Sequence, residues 1–191
     1  MIRKDIFSIP FFELKVDLAK VVVPEARFAP SWESMIQTTS RTQVENPVPR
    51  STLEYLTEVV TPALDTLRDR YKAIMFESIW RNKYEEHTYQ GYHLHPKTQW
   101  SFVIYETVQS AKTMFMNPSM KDIQNHSSSG ARWNGSTYDC ALTYEPDWLG
   151  PGDMVLFPSW LAHQVRPGNT GTTISGNIIL HHGNSKENIK L

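Results

Sequence analysis

The sequence predicts a mainly β protein, an antiparallel sandwich or barrel preceded by a short helical segment. Three observations carry this. Beyond residue 72 the chain falls into short runs rich in aromatic and β-branched residues, the composition of pleated, half-buried strands. Turn signals separate the runs: Asn117-Pro118, Gly130, Asn134-Gly135, Gly150-Pro151-Gly152 and Gly168-Asn169-Thr170-Gly171. Strands do not alternate with helices, and no glycine-rich phosphate loop is present, which removes the doubly wound class and nucleotide binding through it.

The elements follow in order. Phe12-Glu13-Leu14-Lys15-Val16 alternates apolar and polar, so the segment 6–16 contains a half-buried strand. Residues 24–49 are broken by Pro24, Pro30, Pro47 and Pro49 and read as a long, irregular surface excursion. Ser51-Thr52-Leu53-Glu54 has the form of a capping box, and Leu53, Leu56, Val60, Leu64, Leu67 and Tyr71 continue one apolar stripe. A helix is therefore expected over 52–71, kinked or broken at Pro62. Strands are expected at 73–82, 99–106, 113–116, 137–143, 153–157, 163–165 and 172–181. No internal repeat is visible, so residues 1–191 read as one domain, with a helical segment at about 51–71 and a β core at about 72–181.

Composition narrows the function. The chain has 191 residues, 40% hydrophobic and 20% charged, enough for a core without disulfides. A net charge of -1 gives no basic footprint for nucleic acid. The single cysteine, Cys140, can form neither an internal disulfide nor a thiolate metal site and reads as a small packed side chain. Charged residues or prolines interrupt every apolar run well short of the roughly 18 residues of a membrane span. The opening Met1-Ile2-Arg3-Lys4-Asp5 is not followed by the apolar stretch of a signal peptide, so a cytoplasmic protein is expected. Six tryptophans leave material for a homo-oligomeric surface. Seven histidines are the other unusual count.

Two motifs could carry chemistry. In His93-Leu94-His95, positions i and i+2 of a strand project from one face, so the pair can chelate a divalent metal or stand as two exposed histidines. His87 adds little. In the run from Gly150 to His163, a tight turn feeds an apolar strand, Pro158 ends it, and a short segment delivers His163, either a satisfied core histidine or a third ligand. A His-x-His pair with a lone histidine about 70 residues downstream has the order of a facial metal triad on a β-barrel.

Larger blocks of sequence extend this. Trp80-x-Asn82, His93-x-His95-Pro96 and Trp100-Ser101-Phe102-Val103-Ile104-Tyr105 resemble, in order, a family of small 2-oxoglutarate/Fe(II)-dependent oxygenases of bacteria and their viruses. Phe115-x-Asn117-Pro118, Gly152-Asp153-x-Val155-Leu156-Phe157-Pro158-Ser159-Trp160-x-x-His163 and Ile174-Ser175-x-Asn177 continue the resemblance, as does the opening Ile6-Phe7-Ser8-Ile9-Pro10. The resemblance implies a double-stranded β-helix (a cupin-like jelly roll) behind the helical segment. It implies a dioxygenase, a hydroxylase of a small molecule or peptide, using Fe(II), 2-oxoglutarate and dioxygen. His93, His95 and His163 match its metal ligands, with histidine where relatives in the wider superfamily have a carboxylate, so another divalent metal also suits the set. Tyr105 and Ser175 match residues that hold the distal carboxylate of 2-oxoglutarate. The family's arginine for that carboxylate is replaced by Thr172 and Thr173. Lys112 is expected to supply the missing charge, with Arg166 and then Lys97 behind it. Asn82, Trp100, Arg132 and Trp133 are expected on the substrate side, the last two in a loop over 121–136 that reads as a lid or a loose tip.

The missing arginine keeps two alternatives in view. One is a three-histidine metalloprotein of jelly-roll form that does not use 2-oxoglutarate. The other is a degenerate, non-catalytic jelly roll kept as a binding or structural module, for example in a virion.

Overall fold

In the computed structural model, residues 8–31, 35–67, 70–119 and 143–183 are described. Arg132, Trp133, Cys140, the 121–136 loop, Ile6, Phe7 and the expected strand 137–143 apart from Thr143 lie outside them. Eight strands build two antiparallel sheets: β4 (Ala73–Tyr84), β5 (Gln90–His93), β6 (Trp100–Tyr105), β7 (Thr113–Met116), β8 (Thr143–Tyr144), β9 (Asp153–Pro158), β10 (His163–Val165) and β11 (Gly171–His181). The smaller sheet runs β5-β10-β7-β8. The larger adds β1 (Phe12–Lys15), β2 (Ala29–Pro30) and β3 (Gln37–Thr38), in the order β1-β9-β6-β11-β4-β3-β2. From β4 to β11 the chain changes sheet at every step except β7 to β8, the winding of a double-stranded β-helix.

Strand alternation divides the large sheet into two working faces. Outward go Trp100, Phe102, Ile104, Met154, Leu156, Ile174 and Ile178, which form one core with helix α1 (Arg50–Asp65). Inward go Val103, Tyr105, Val155 and Phe157, which meet Phe115 and Val165 of the small sheet. Leu56, Val60 and Leu64 of α1, at i, i+4 and i+8, are fully buried on the outward face. Burial of each contributes about 1.5–3 kcal/mol. Buried Thr52 ties this layer to the N-terminal segment: its hydroxyl accepts from the Val22 N–H at 3.0 Å and lies 3.2 Å from the Lys20 carbonyl. At Gly176 the strands approach so closely that a Cβ would run into the Phe102 ring and lie 2.8 Å from the Ser78 carbonyl.

Several local expectations need correction. The capping box does not form. Pro49 takes the cap position without a side-chain bond, and Glu54 instead accepts from Arg50 one turn earlier at 2.8 Å. Pro62 neither breaks nor ends the helix, because Val60, Ala63 and Leu64 on both sides of it are buried against the sheet. The helix stops at Asp65, and Tyr71 joins the core from the connection, its phenol donating to Asp65 at 2.6 Å. The 24–49 excursion is less irregular than its prolines suggest. It carries β2, β3 and a 3-10 turn at Gln43–Glu45, held by the buried Gln43 amide donating to the Pro24 carbonyl at 3.2 Å and the Asn46 carbonyl at 2.7 Å. The strand Gln90–His93 was not expected. Its sequence has little strand propensity, and pairing with β10 creates it.

Candidate metal centre

The three histidines converge on the inward face of the small sheet. His93 ends β5 and His163 begins β10, and the two are direct cross-strand partners. Residues so placed hold their side chains side by side, and these rings have centroids 4.2 Å apart. His95 lies just past β5, where its N–H donates to the Ser159 carbonyl at 2.9 Å. Its ring is 5.2 Å from His93 and 5.3 Å from His163, parallel to the latter within 6°. One ligand nitrogen from each residue lies within 4.8 Å of the others.

The shell around the rings prepares them as ligands. His93 Nδ1 is 2.9 Å from the Gly91 carbonyl and His163 Nδ1 is 3.0 Å from the Leu161 carbonyl. A carbonyl can only accept, so each Nδ1 carries the proton and each Nε2 presents a lone pair, as metal-binding imidazoles require. Burial pushes all three histidines towards the neutral form. His93 is lowered by desolvation, His95 to about 4 by desolvation and the neighbouring His93, and His163 well below its ordinary value by desolvation and then both neighbours. Phe157 and Phe115 flank His163 at 4.8 and 5.7 Å, and Trp80 stacks on His95 at 5.8 Å. A cluster of neutral nitrogen donors without a carboxylate fits a borderline divalent cation such as Fe(II), Zn(II) or Ni(II).

Opposite the histidines, the large sheet presents a polar wall that sequence reasoning only half found. Trp80 donates to Asn82 at 3.1 Å, and Asn82 donates to Ser175 at 3.1 Å. Ser159 is a hub, bonded to Thr98 at 2.9 Å and Ser101 at 2.8 Å, and Ser101 donates to Asn177 at 2.8 Å. Trp80, Asn82, Ser101 and Ser175 line the cavity around the histidines, together with Tyr84, Gln90 and Thr113. The available signal was the polar residue between apolar neighbours, as in Trp100-Ser101-Phe102 and Ile174-Ser175-Gly176-Asn177-Ile178.

The remaining candidates separate. Tyr105 is buried on the inward face and donates to Thr113 at 3.1 Å, and Thr173 stands beside it in register. Trp100 is a correction. It points to the helix side, 6.0 Å from Phe12, because it is one position out of phase with inward-facing Ser101. Lys112 is also off the cavity lining. It precedes inward-facing Thr113, so its side chain turns outward, and its ammonium lies 3.4 Å from the Ser110 hydroxyl. Arg166 engages Glu145 at 2.7 Å and is half exposed. Lys97 is exposed in the turn after His95. Among the described residues, the three histidines are the only ionisable groups of basic type in the cavity lining.

No match to the sequence is found among curated proteins. Solved structures are similar to the chain at low identity, and the first named here shares its fold. A 2OG-Fe(II) oxygenase-family oxidoreductase from Burkholderia pseudomallei superposes with a TM-score of 0.54 at 13% identity, covering 85% of this chain and 76% of that one. HygX from Streptomyces hygroscopicus, solved with nickel, 2-oxoglutarate and hygromycin B, gives 0.49 at 10% identity, over 89% and 82% of the two chains. A viral collagen prolyl hydroxylase from Paramecium Bursaria Chlorella virus-1, solved as a 2OG complex, gives 0.47 at 11%, over 88% and 95%. At the level of sequence, a family profile described as "Putative 2OG-Fe(II) oxygenase" matches residues 78–176, half of the chain, a block that contains all three histidines and the polar wall from Trp80 to Ser175. The chain belongs to this 2OG-Fe(II) oxygenase family.

Proposed function

We propose that the protein is an Fe(II)- and 2-oxoglutarate-dependent hydroxylase of a small molecule or peptide, with His93, His95 and His163 as its metal ligands. The observation that carries the reading is the preset tautomer of His93 and His163. Two neutral imidazoles, His163 buried and His93 half-buried, with their Nδ1 protons committed to the Leu161 and Gly91 carbonyls have no use for their inward Nε2 lone pairs except as acceptors for a proton or a metal. When bound, Fe(II) and 2-oxoglutarate supply the oxidation, in which dioxygen delivers one oxygen atom to the 2-oxoacid, giving succinate and carbon dioxide, and the other to substrate.

The chain's own residues do the rest. The register of β5 and β10 fixes two ligands on rigid backbone, and the Ser159 carbonyl fixes the third. Trp80, Phe115 and Phe157 keep water from the ligand rings. Asn82 and Ser175, bonded to each other, give the opposite wall an amide and a hydroxyl for orienting a polar ligand.

The test is succinate formation from 2-oxoglutarate by protein loaded anaerobically with Fe(II) and then exposed to oxygen. Slow uncoupled turnover is expected in the wild type and none in His163→Ala. Metal-dependent oxygen consumption without succinate would instead favour the three-histidine chemistry that does not use 2-oxoglutarate, a reading favoured by the uncharged lining of the cavity beyond the histidines.

A further inference from the structure

A second cavity, of about 580 Å³, lies where β1 and β8, edge strands of the two sheets, approach each other. Among the described residues its lining shares no member with that of the histidine cavity. An aromatic wall stands between them: Phe115 lines the second cavity, and its ring is 4.9 Å from that of Phe157, which lines the first. The alternation of β1 sets the character of the lining. Phe12 and Leu14 pack on the helix-side core, so Phe11 and Glu13 project to the other side. Phe11 meets Phe115 at 4.9 Å and Tyr144 at 5.2 Å, both near a right angle, and Ile9 and Leu161 extend the apolar surface. Tyr144 in turn meets Trp148 at 6.0 Å. Cavities of this size are those of small-molecule sites.

Glu13 is the one charged side chain of this lining among the described residues. Both of its carboxylate oxygens are oriented. The Tyr144 hydroxyl donates to one at 2.8 Å and the Trp148 indole N–H to the other at 3.2 Å. These donors are neutral, so they fix the carboxylate without cancelling its charge. Burial, and then the bond to Glu13 and its charge, push the Tyr144 phenol up to about 12, so it remains a donor at neutral pH. Lys15, two residues along the strand, is paired with Asp153.

We infer that this cavity is a second binding site, for a small organic ammonium ion with an apolar body, its charge at Glu13 and its body against Phe11, Phe115 and Leu161. The sign of the charge follows from the lining. An anion would meet a carboxylate and, among the described residues, no basic side chain. A wholly apolar guest would strip water from that carboxylate and give nothing back. A cation gains from the carboxylate and from neighbouring ring faces together. No histidine lines the cavity among the described residues, so binding here is independent of the metal and of the oxygenase chemistry.

The test is a calorimetric titration of the full-length protein at pH 7.5 and low ionic strength with 2-phenylethylammonium and, separately, with 2-phenylethanol, which has the same body and no charge. The ammonium is expected to bind about tenfold more tightly, the span of one exposed ion pair and one cation–π contact. Sodium chloride at about 0.5 M should weaken the ammonium severalfold and leave the alcohol unchanged. Glu13→Gln, at an exposed position, is expected to weaken the ammonium about three- to fivefold without affecting the alcohol. Affinities of the two probes within about twofold of each other in the wild type would leave Glu13 as an inward charge guarding an edge strand, and would overturn the site. Unchanged ammonium affinity in folded Glu13→Gln would overturn it as well. Binding of neither probe would show that the cavity is not a small-molecule site.

Discussion

Of the three proposed ligands, His95 is the one whose ring depends most on a neighbour. His93 and His163 have their Nδ1 atoms on backbone carbonyls, whereas the His95 ring lies against Trp80. Removing that indole frees the imidazole to rotate and wets it. Trp80→Ala is therefore expected to weaken metal binding about tenfold, the usual size of an outer-shell effect, while Trp80→Phe retains most of the affinity. Competition against a metallochromic chelator measures both. His163→Ala removes a ligand outright and should abolish stoichiometric binding in the same assay. Near-full metal occupancy in that variant would remove the triad from the protein's chemistry. Cys140 and the pair Arg132 and Trp133 lie outside the described residues, and no role is assigned to them.

At the scale of elements, the large sheet separates two jobs by the parity of a single residue. On β6, Trp100, Phe102 and Ile104 serve the helix-side core, Ser101 and Val103 line the cavity, and Tyr105 is buried in the inward core. Packing defects on the helix side should thus cost stability without altering ligand geometry. Leu56→Ala, at a fully buried position of α1, is expected to destabilise by about 2–5 kcal/mol. Gly176→Ala, on β11 between Ser175 and Asn177, strains the strand itself, because its Cβ would strike Phe102 on the helix side and crowd the Ser78 carbonyl of adjoining β4. It is expected to lose stability and metal affinity together, read by urea denaturation and chelator competition on one preparation. Unchanged metal affinity in folded Gly176→Ala would show that the sheet absorbs the clash on the helix side alone.

For the whole molecule, the three histidines couple stability to pH and to metal. Their pKa values are depressed in the folded state, so between the ordinary histidine value and the folded value the unfolded chain binds more protons. Stability of the metal-free protein should be full above about pH 6.5 and fall as the pH drops below it, continuing until the folded pKa is reached, about 4 for His95. At pH 5 this amounts to about 2 kcal/mol for His95 alone. Thermal melts of metal-free protein at pH 7.5 and pH 5 check the sign, and a metal-free protein more stable at pH 5 would contradict it. Metal acts in the opposite direction. At a hundredfold excess over its dissociation constant it adds about 2.7 kcal/mol, a rise in Tm of roughly 5–10 °C for a chain of this size. His163→Ala should show no rise. Among the described residues, no helix is long and apolar enough to cross a membrane.

The sequence by itself determined the β class, the positions of seven of the strands, and the three histidines in their order, because these depend on local composition, turn residues and spacing that a linear reading preserves. The tertiary structure decided what depends on neighbours far along the chain. Strand β5 exists because β10 pairs with it, and Pro62 stays inside a helix because the sheet beneath holds both sides of it. Trp100 and Lys112 read as site residues on proximity in sequence, yet each stands one position out of phase with an inward neighbour, Ser101 and Thr113, and only the register of the sheets fixes that phase. The polar wall was hidden for the same reason: its members come from strands up to about 90 residues apart, and only closure of the two sheets brings hydroxyls and amides that look unremarkable in sequence around one cavity.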